Sequence, residues 1–226
     1  MDSGRNASIA GGAAGIIGFV VFVVAFALAP TPPTLEASAA EIIRYSAEHH
    51  SGTLTAAFLF ATSAPLFIVW TGALAARLHA AEGEDAWLYL VFLGGSILAL
   101  TVMTSASFIW MALCNRGWTA GEGIAQTLSD IANYGYIFTG FGSVVLAGAA
   151  ALVMIGTGDV SRLLGQLGLL VAAVQVVYVL TAFFSSGFMV GGGPVTIAGF
   201  VLLGLWMLAV SVAMIVRAPL SRKTAL

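Results

Sequence analysis

The chain alternates between long apolar stretches and short segments that hold its charge. Six runs, at about residues 9–29, 53–74, 87–113, 131–155, 164–184 and 195–216, contain no ionisable Asp, Glu, His, Lys or Arg. The eight Lys and Arg and the ten Asp and Glu all fall between these runs or beyond them. A charge at the centre of the hydrocarbon costs about 2.5–3.5 kcal/mol even by insertion measurements, so a bilayer imposes this partition. Each run has the roughly 20 residues needed to cross a 30 Å core. Helices also satisfy their own backbone there. The pattern predicts an all-α, polytopic bundle of six transmembrane helices, one domain over residues 1–226, with lipid as its solvent.

The segments between runs carry their own signals. Pro30, Pro32 and Pro33 close the first run, and Ala37-Ser38-Ala39 resembles a signal-cleavage site. That run exceeds the roughly 7–15 residues of a secretory core and lacks a positively charged lead, which argues for a retained helix. From Glu36 to His50 the spacing is helical, with Ile42, Ile43 and Tyr45 on one side and Arg44 and Glu48 four apart. It predicts a short helix on the outer surface. Pro65 is expected to kink the second span and free a carbonyl near residue 61. Gly117 to Gly121 ends the overhang of the third span, and residues 122–130 read as an amphipathic turn into the fourth.

Basic residues set the expected orientation. With the N-terminus inside, inner segments hold Arg5, Arg77, Arg162, Arg217, Arg222 and Lys223, against Arg44 and Arg116 outside. Both termini are then cytoplasmic by the positive-inside rule. The same rule suits a multi-pass protein of the cell membrane. Trp87, Trp110 and Trp118 lie near the expected interfaces.

Composition sharpens this picture mainly by exclusion. Apolar residues are 60% of the chain, charged residues 8%, and mean hydropathy is +1.02. A soluble domain carries about 25% charge. Net charge is −2 without a basic run, which argues against nucleic acid as a partner. Cys114 stands alone, excluding an intrachain disulfide and multi-cysteine haem or iron–sulfur attachment. The sole lysine, Lys223, is in the tail, so no span carries a Schiff base. Charge-free spans argue against a voltage sensor or proton pump.

Candidate chemistry is sparse. Glu48-His49-His50, with Glu41, Glu122 and Asp130, gathers metal-binding residue types, but adjacent helical side chains diverge by about 100°. It is read as a solvated surface, and no metal site is expected. No residue pattern specifies a cofactor. Polar stripes recur at spacings of three and four: Thr101, Thr104, Phe108, Met111 and Asn115; Asp130, Asn133, Tyr136, Gly140 and Ser143; Gln175, Tyr178, Thr181 and Ser185. Such groups either hydrogen-bond between helices or line an outward-opening pocket. Asn115, Asp130, Asn133, Tyr136, Gln175 and Tyr178 are the candidate ligand-binding residues. Gly11, Gly15 and Gly18 allow close approach of another helix, within the bundle or across a homo-oligomer. Gly191-Gly192-Gly193-Pro194 is a tight turn without the strand and lysine of a phosphate loop.

The stretch HHSGTLTAAFLFATSAPLFIVWTGALAARLHAAEGEDAWLYLVFLGG, from His49 to Gly95, resembles a family of bacterial six-span membrane proteins without an assigned activity. LSDIANYGYIFTGFGSVVLAGAAAL and LWMLAVSVAMIVR are similar to that family too. The resemblance implies the fold and a membrane location and brings no active site.

The leading expectation is a protein that binds or translocates a small hydrophobic molecule or lipid through a polar pocket in the outer half of the bundle. One alternative is a membrane-embedded enzyme using Asp130, Glu48 or His50 as acid or base. Another is a structural subunit joined to a membrane partner through its glycine face.

Overall fold

The computed structural model describes residues 3–28, 32–116, 119, 121–184 and 186–218. Pro30, Gly117, Trp118, Ser185, Arg222 and Lys223, named above, lie outside the described residues. The described chain is all-helical. Its elements are α1 (Ser3–Leu28), α2 (Ala39–Glu48), α3 (His50–Glu82), α4 (Leu88–Arg116), α5 (Glu122–Thr157), α6 (Arg162–Leu180) and α7 (Pro194–Val216). Two single 3-10 turns, Thr181–Phe183 and Gly187–Met189, link α6 to α7. Six helices are long and apolar enough to cross a membrane. They fit an integral, multi-pass membrane protein in a lipid bilayer.

Helix ends follow local chemistry. Ser38 caps α2 reciprocally with Glu41, whose carboxylate accepts the Ser38 N–H at 2.8 Å. Residues 122–130 form the first turns of α5 rather than a separate turn. At 36 residues, α5 is about 54 Å long at 1.5 Å per residue, well beyond the 30 Å core. It ends at Gly158, whose left-handed φ of 74° suits glycine. The Glu82 carboxylate takes the N–H groups of Leu88 at 3.0 Å and Tyr89 at 2.9 Å, capping α4 from the end of α3. α3 runs through Pro65 without ending there. Arg44 and Glu48 form no ion pair among the described residues.

The six long helices make a closed ring. Each packs on its sequence neighbour, α1 on α3, then α4, α5 and α6 in turn, and α7 returns to α1. The α4–α5 pair packs most extensively because Gly95 and Gly142 face each other, and a methyl on either would strike the other's backbone. The glycine face of α1 is spent inside the ring. A methyl at Gly11 would collide with Ala73, one at Gly15 with Trp70 and Ser211, and one at Gly18 would crowd Phe67. Close approach is therefore to α3 and α7 of the same chain.

The up-down order gathers Arg5, Arg77, Arg162 and Arg217 at one end of the ring. There Arg77 (side chain 9% exposed) grips Asp159 (30%) with both prongs of its guanidinium, Nε–Oδ2 at 2.7 Å and Nη2–Oδ1 at 2.9 Å. Its Nη1 also reaches Ser8 Oγ at 3.3 Å, and Ser8 Oγ donates to Met214 O at 2.8 Å. Beside Asp159, Val160 holds a φ of 57°, rare for a β-branched residue, and its carbonyl accepts from Arg217 Nη1 at 2.7 Å. At the opposite end, α2 covers the ends of α3, α4 and α5. Ile42 and Tyr45 pack there with Trp110, Leu113 and Ala125.

Candidate functional site

Most of the polar residues singled out from the sequence are partnered within the protein. Tyr178, on α6, is sandwiched between Gly140 of α5 and Gly199 of α7. Its hydroxyl donates to Tyr136 O at 2.6 Å. The Tyr136 hydroxyl lies 3.2 Å from Ser107 Oγ, whose own proton goes to Met103 O, so Tyr136 is the donor. Gln175 is buried and its amide donates to Gly199 O at 2.8 Å, joining α6 to α7. Asn133 reaches Pro33 O at 3.4 Å and Ser129 Oγ at 3.5 Å. Asp130 accepts from Gln126, one turn earlier, at 3.2 Å. Asn115 is exposed at the end of α4. Tyr136 and Tyr178 thus meet directly, whereas Asn115, Asp130 and Asn133 point to separate surroundings.

The surface around α2 is a polar depression of about 480 Å³ lined by Glu36, Glu41, Arg44, Glu48 and His49. Two of its three acids are engaged in structure. Glu36 accepts the Gly187 N–H at 3.0 Å, and Glu41 caps α2. The Ser38 backbone and hydroxyl bonds to that carboxylate hold it below the ordinary carboxylate range. Burial pushes the Tyr45 phenol up. His50 Nδ1 donates to Cys114 O at 2.8 Å, tying α3 to α4. Among the described residues, no three His, Cys, Asp or Glu side chains form a metal-ligand set.

A different site lies at the middle of the ring. Five of the six long helices surround a cavity of about 70 Å³: α1 with Phe19 and Phe22, α3 with Phe67 and Trp70, α4 with Ser96 and Met103, α5 with Thr139 and Ser143, and α7 with Phe200 and Met207. None of the six candidate residues from the sequence lines it. The wall is almost wholly apolar, and its serines and Thr139 turn inward on their own helices. Ser96 Oγ donates to Phe92 O at 2.8 Å, Ser143 Oγ to Thr139 O at 3.0 Å, and Thr139 Oγ1 to Gly135 O at 3.2 Å. Such bonds hide a hydroxyl proton inside the helix groove. The lining therefore offers shape, dispersion contacts, the hydroxyl of Thr71 and two pliable thioethers from Met103 and Met207.

Sequence reasoning passed over this site because its residues are ordinary for a membrane helix. One signal was available in Trp70, which sits well inside α3, away from the interfaces where tryptophan concentrates. No protein-family model, curated protein or solved structure matches the chain.

Proposed function

We propose that this protein binds a small apolar molecule or a lipid within the plane of the membrane, in the central cavity. The observation that carries the reading is that cavity itself, apolar, lined by five helices and set in a ring able to span a bilayer. Ligand sites are concave and mainly apolar, and bundles place them between helices. The hydrogen bonds of Gln175, Tyr136 and Tyr178 support a packing role for these polar groups rather than a polar pocket. The four arginines at one end support a cytoplasmic placement of that end in the cell membrane.

Native mass spectrometry of the protein purified in mild detergent tests the reading. The expected result is a discrete bound mass that Leu203→Trp, which fills the cavity, removes while the variant stays folded and monodisperse. A mass retained at full occupancy in Leu203→Trp would place the lipid on the outside of the bundle and overturn the proposal.

A further inference from the structure

Helix α5 leaves one narrow face uncovered. Between Ile124 and Leu152 every exposed residue falls on one pattern: Ile124, Ile131, Phe138, Val145 and Leu152 at steps of seven, and Thr127, Tyr134 and Phe141 three residues after the first three. The residues between are buried or half-buried, with α4 and α6 the helices packed most extensively on α5. Such an alternation of threes and fours is the a/d seam of a heptad repeat, kept here over four repeats without a charged residue in it. The outward face of α4 differs, since Ile97, Thr101 and Ser105 take two steps of four in succession and break such a register.

Lipid alone does not account for this seam. The link between α6 and α7 crosses α5 at Ile137, where a methyl on Gly191 would strike the isoleucine. Two of the six spanning helices therefore turn at that height, while α5 runs on outward to Glu122. Ile124 comes thirteen residues before Ile137, roughly 20 Å further out at about 1.5 Å per residue. Yet Ile124 is 59% exposed and Ile131 is 49%. A row of large apolar side chains that continues past the hydrocarbon marks an interaction surface. Its size suits a protein partner. The seven large apolar residues of the seam are 38–59% exposed. At about 200 Å² for each full side chain they offer roughly 650 Å², most of the about 800 Å² that one partner brings to a stable interface.

We infer that the protein pairs with a second copy of itself through the α5 seam. Copies inserted in the same orientation are related by a two-fold axis along the membrane normal. Their α5 helices then run parallel, and each layer of the seam faces its own copy, Ile131 on Ile131 and Phe138 on Phe138. Self-pairing brings no like charges together within the seam, and Asp130 beside it is bonded to Gln126 of its own helix. Gly148 lets the two backbones come close toward the inner end. The central cavity takes Thr139, Ser143 and Leu146 from other faces of α5, so the pairing does not depend on the apolar-ligand reading.

The test places single cysteines in the full chain and oxidises them in native membranes. Ile124→Cys, Ile131→Cys and Phe138→Cys probe the seam. Phe26→Cys, exposed at the outer end of α1 on the far side of the ring, is the control. Cys114 is buried and stays in place. The seam variants are expected to run at twice the monomer mass until reductant is added, while Phe26→Cys runs as monomer. Monomer throughout, or as much adduct from Phe26→Cys as from the seam, overturns the inference. Adducts of any other mass would put a different protein on the seam and overturn it too. In a second measurement Ile131→Glu, beyond the hydrocarbon, sets two like charges face to face. Native mass spectrometry in mild detergent should then change from dimer for the unaltered chain to monomer for the variant, with the melting temperature of the bundle kept. A dimer that survives Ile131→Glu, or an unaltered chain that is monomeric in membranes and detergent alike, overturns the inference.

Discussion

The two ends of the ring are held by different chemistry. At the arginine-rich end, one guanidinium fork ties α1, α3, the α5–α6 turn and, through Ser8, α7 into a single network. A second arginine, Arg217, clasps the same turn at Val160. At the opposite end the links are mostly single bonds between neutral groups or through a capping carboxylate: His50 to Cys114, Asn133 to Pro33, Gly187 to Glu36. Charge-assisted, two-pronged bonds are roughly twice as strong as neutral ones. The contrast teaches where the bundle yields. The latched end resists separation more strongly than the end that α2 covers.

The strongest way to break this contrast is Asp159→Asn. It leaves the Arg77 guanidinium, 9% exposed, without its anion. Removing one partner of a buried pair costs 3–5 kcal/mol, and the partial exposure of Asp159 places this case near the lower figure, about 3 kcal/mol. A thermal melt in detergent should show the largest drop of any substitution named here. A melt matching wild type would mean that the latch does not hold the end together.

An intermediate effect is expected from Gln175→Leu, which removes the amide bond to Gly199 O in the less tightly held half. Interhelical bonds of this kind average about 0.6 kcal/mol and reach about 1.7. The bound mass in native spectra should persist while the melting temperature falls slightly. Loss of the bound mass with an unchanged melt would instead restore the polar pocket expected from the sequence.

The smallest effect concerns α2. The Glu41 carboxyl is held below its ordinary value of 4.5 by its bonds to Ser38. Because the folded value is depressed, the capping contribution is complete above 4.5 and fades as pH falls through the lowered folded value. Protection of the amides of residues 42–45 against exchange, relative to their intrinsic rates, should therefore be level from neutral down to that range and fall only below it. Loss of protection already between pH 7 and 5 would show that the Glu41 cap is not what holds α2.

The helices were legible in the sequence because hydrocarbon leaves so little freedom: a run without charge must span, and a charged segment must stop. The start of α2 was missed although its capping chemistry is local, four residues from Ser38 to Glu41: the helix expected from Glu36 begins at Ala39. What could not be read depends on which helices become neighbours. Arg77 and Asp159 are 82 residues apart, and nothing in either segment names the other. The glycines of α1 announced close approach, yet only the ring shows that Ala73, Trp70, Phe67 and Ser211 fill the space beside them. The polar stripes were read as shared faces from helical spacing alone. Their hydrogen-bond partners, however, are largely backbone carbonyls, which carry no mark in a sequence. A cavity is harder still, since it is made by side chains that fail to meet.

The closure of the ring also orders its assembly. Ser8 and Met214, bonded across the seam between α1 and α7, are 206 residues apart. Helices α3 to α6 can pair with their neighbours as each leaves the ribosome, at about 5–20 residues per second. The seam must wait until α7 has been inserted. Until then the α7 side of Gly15 lies open to lipid, and the wall that Phe200 and Met207 give the central cavity is the last to be set in place.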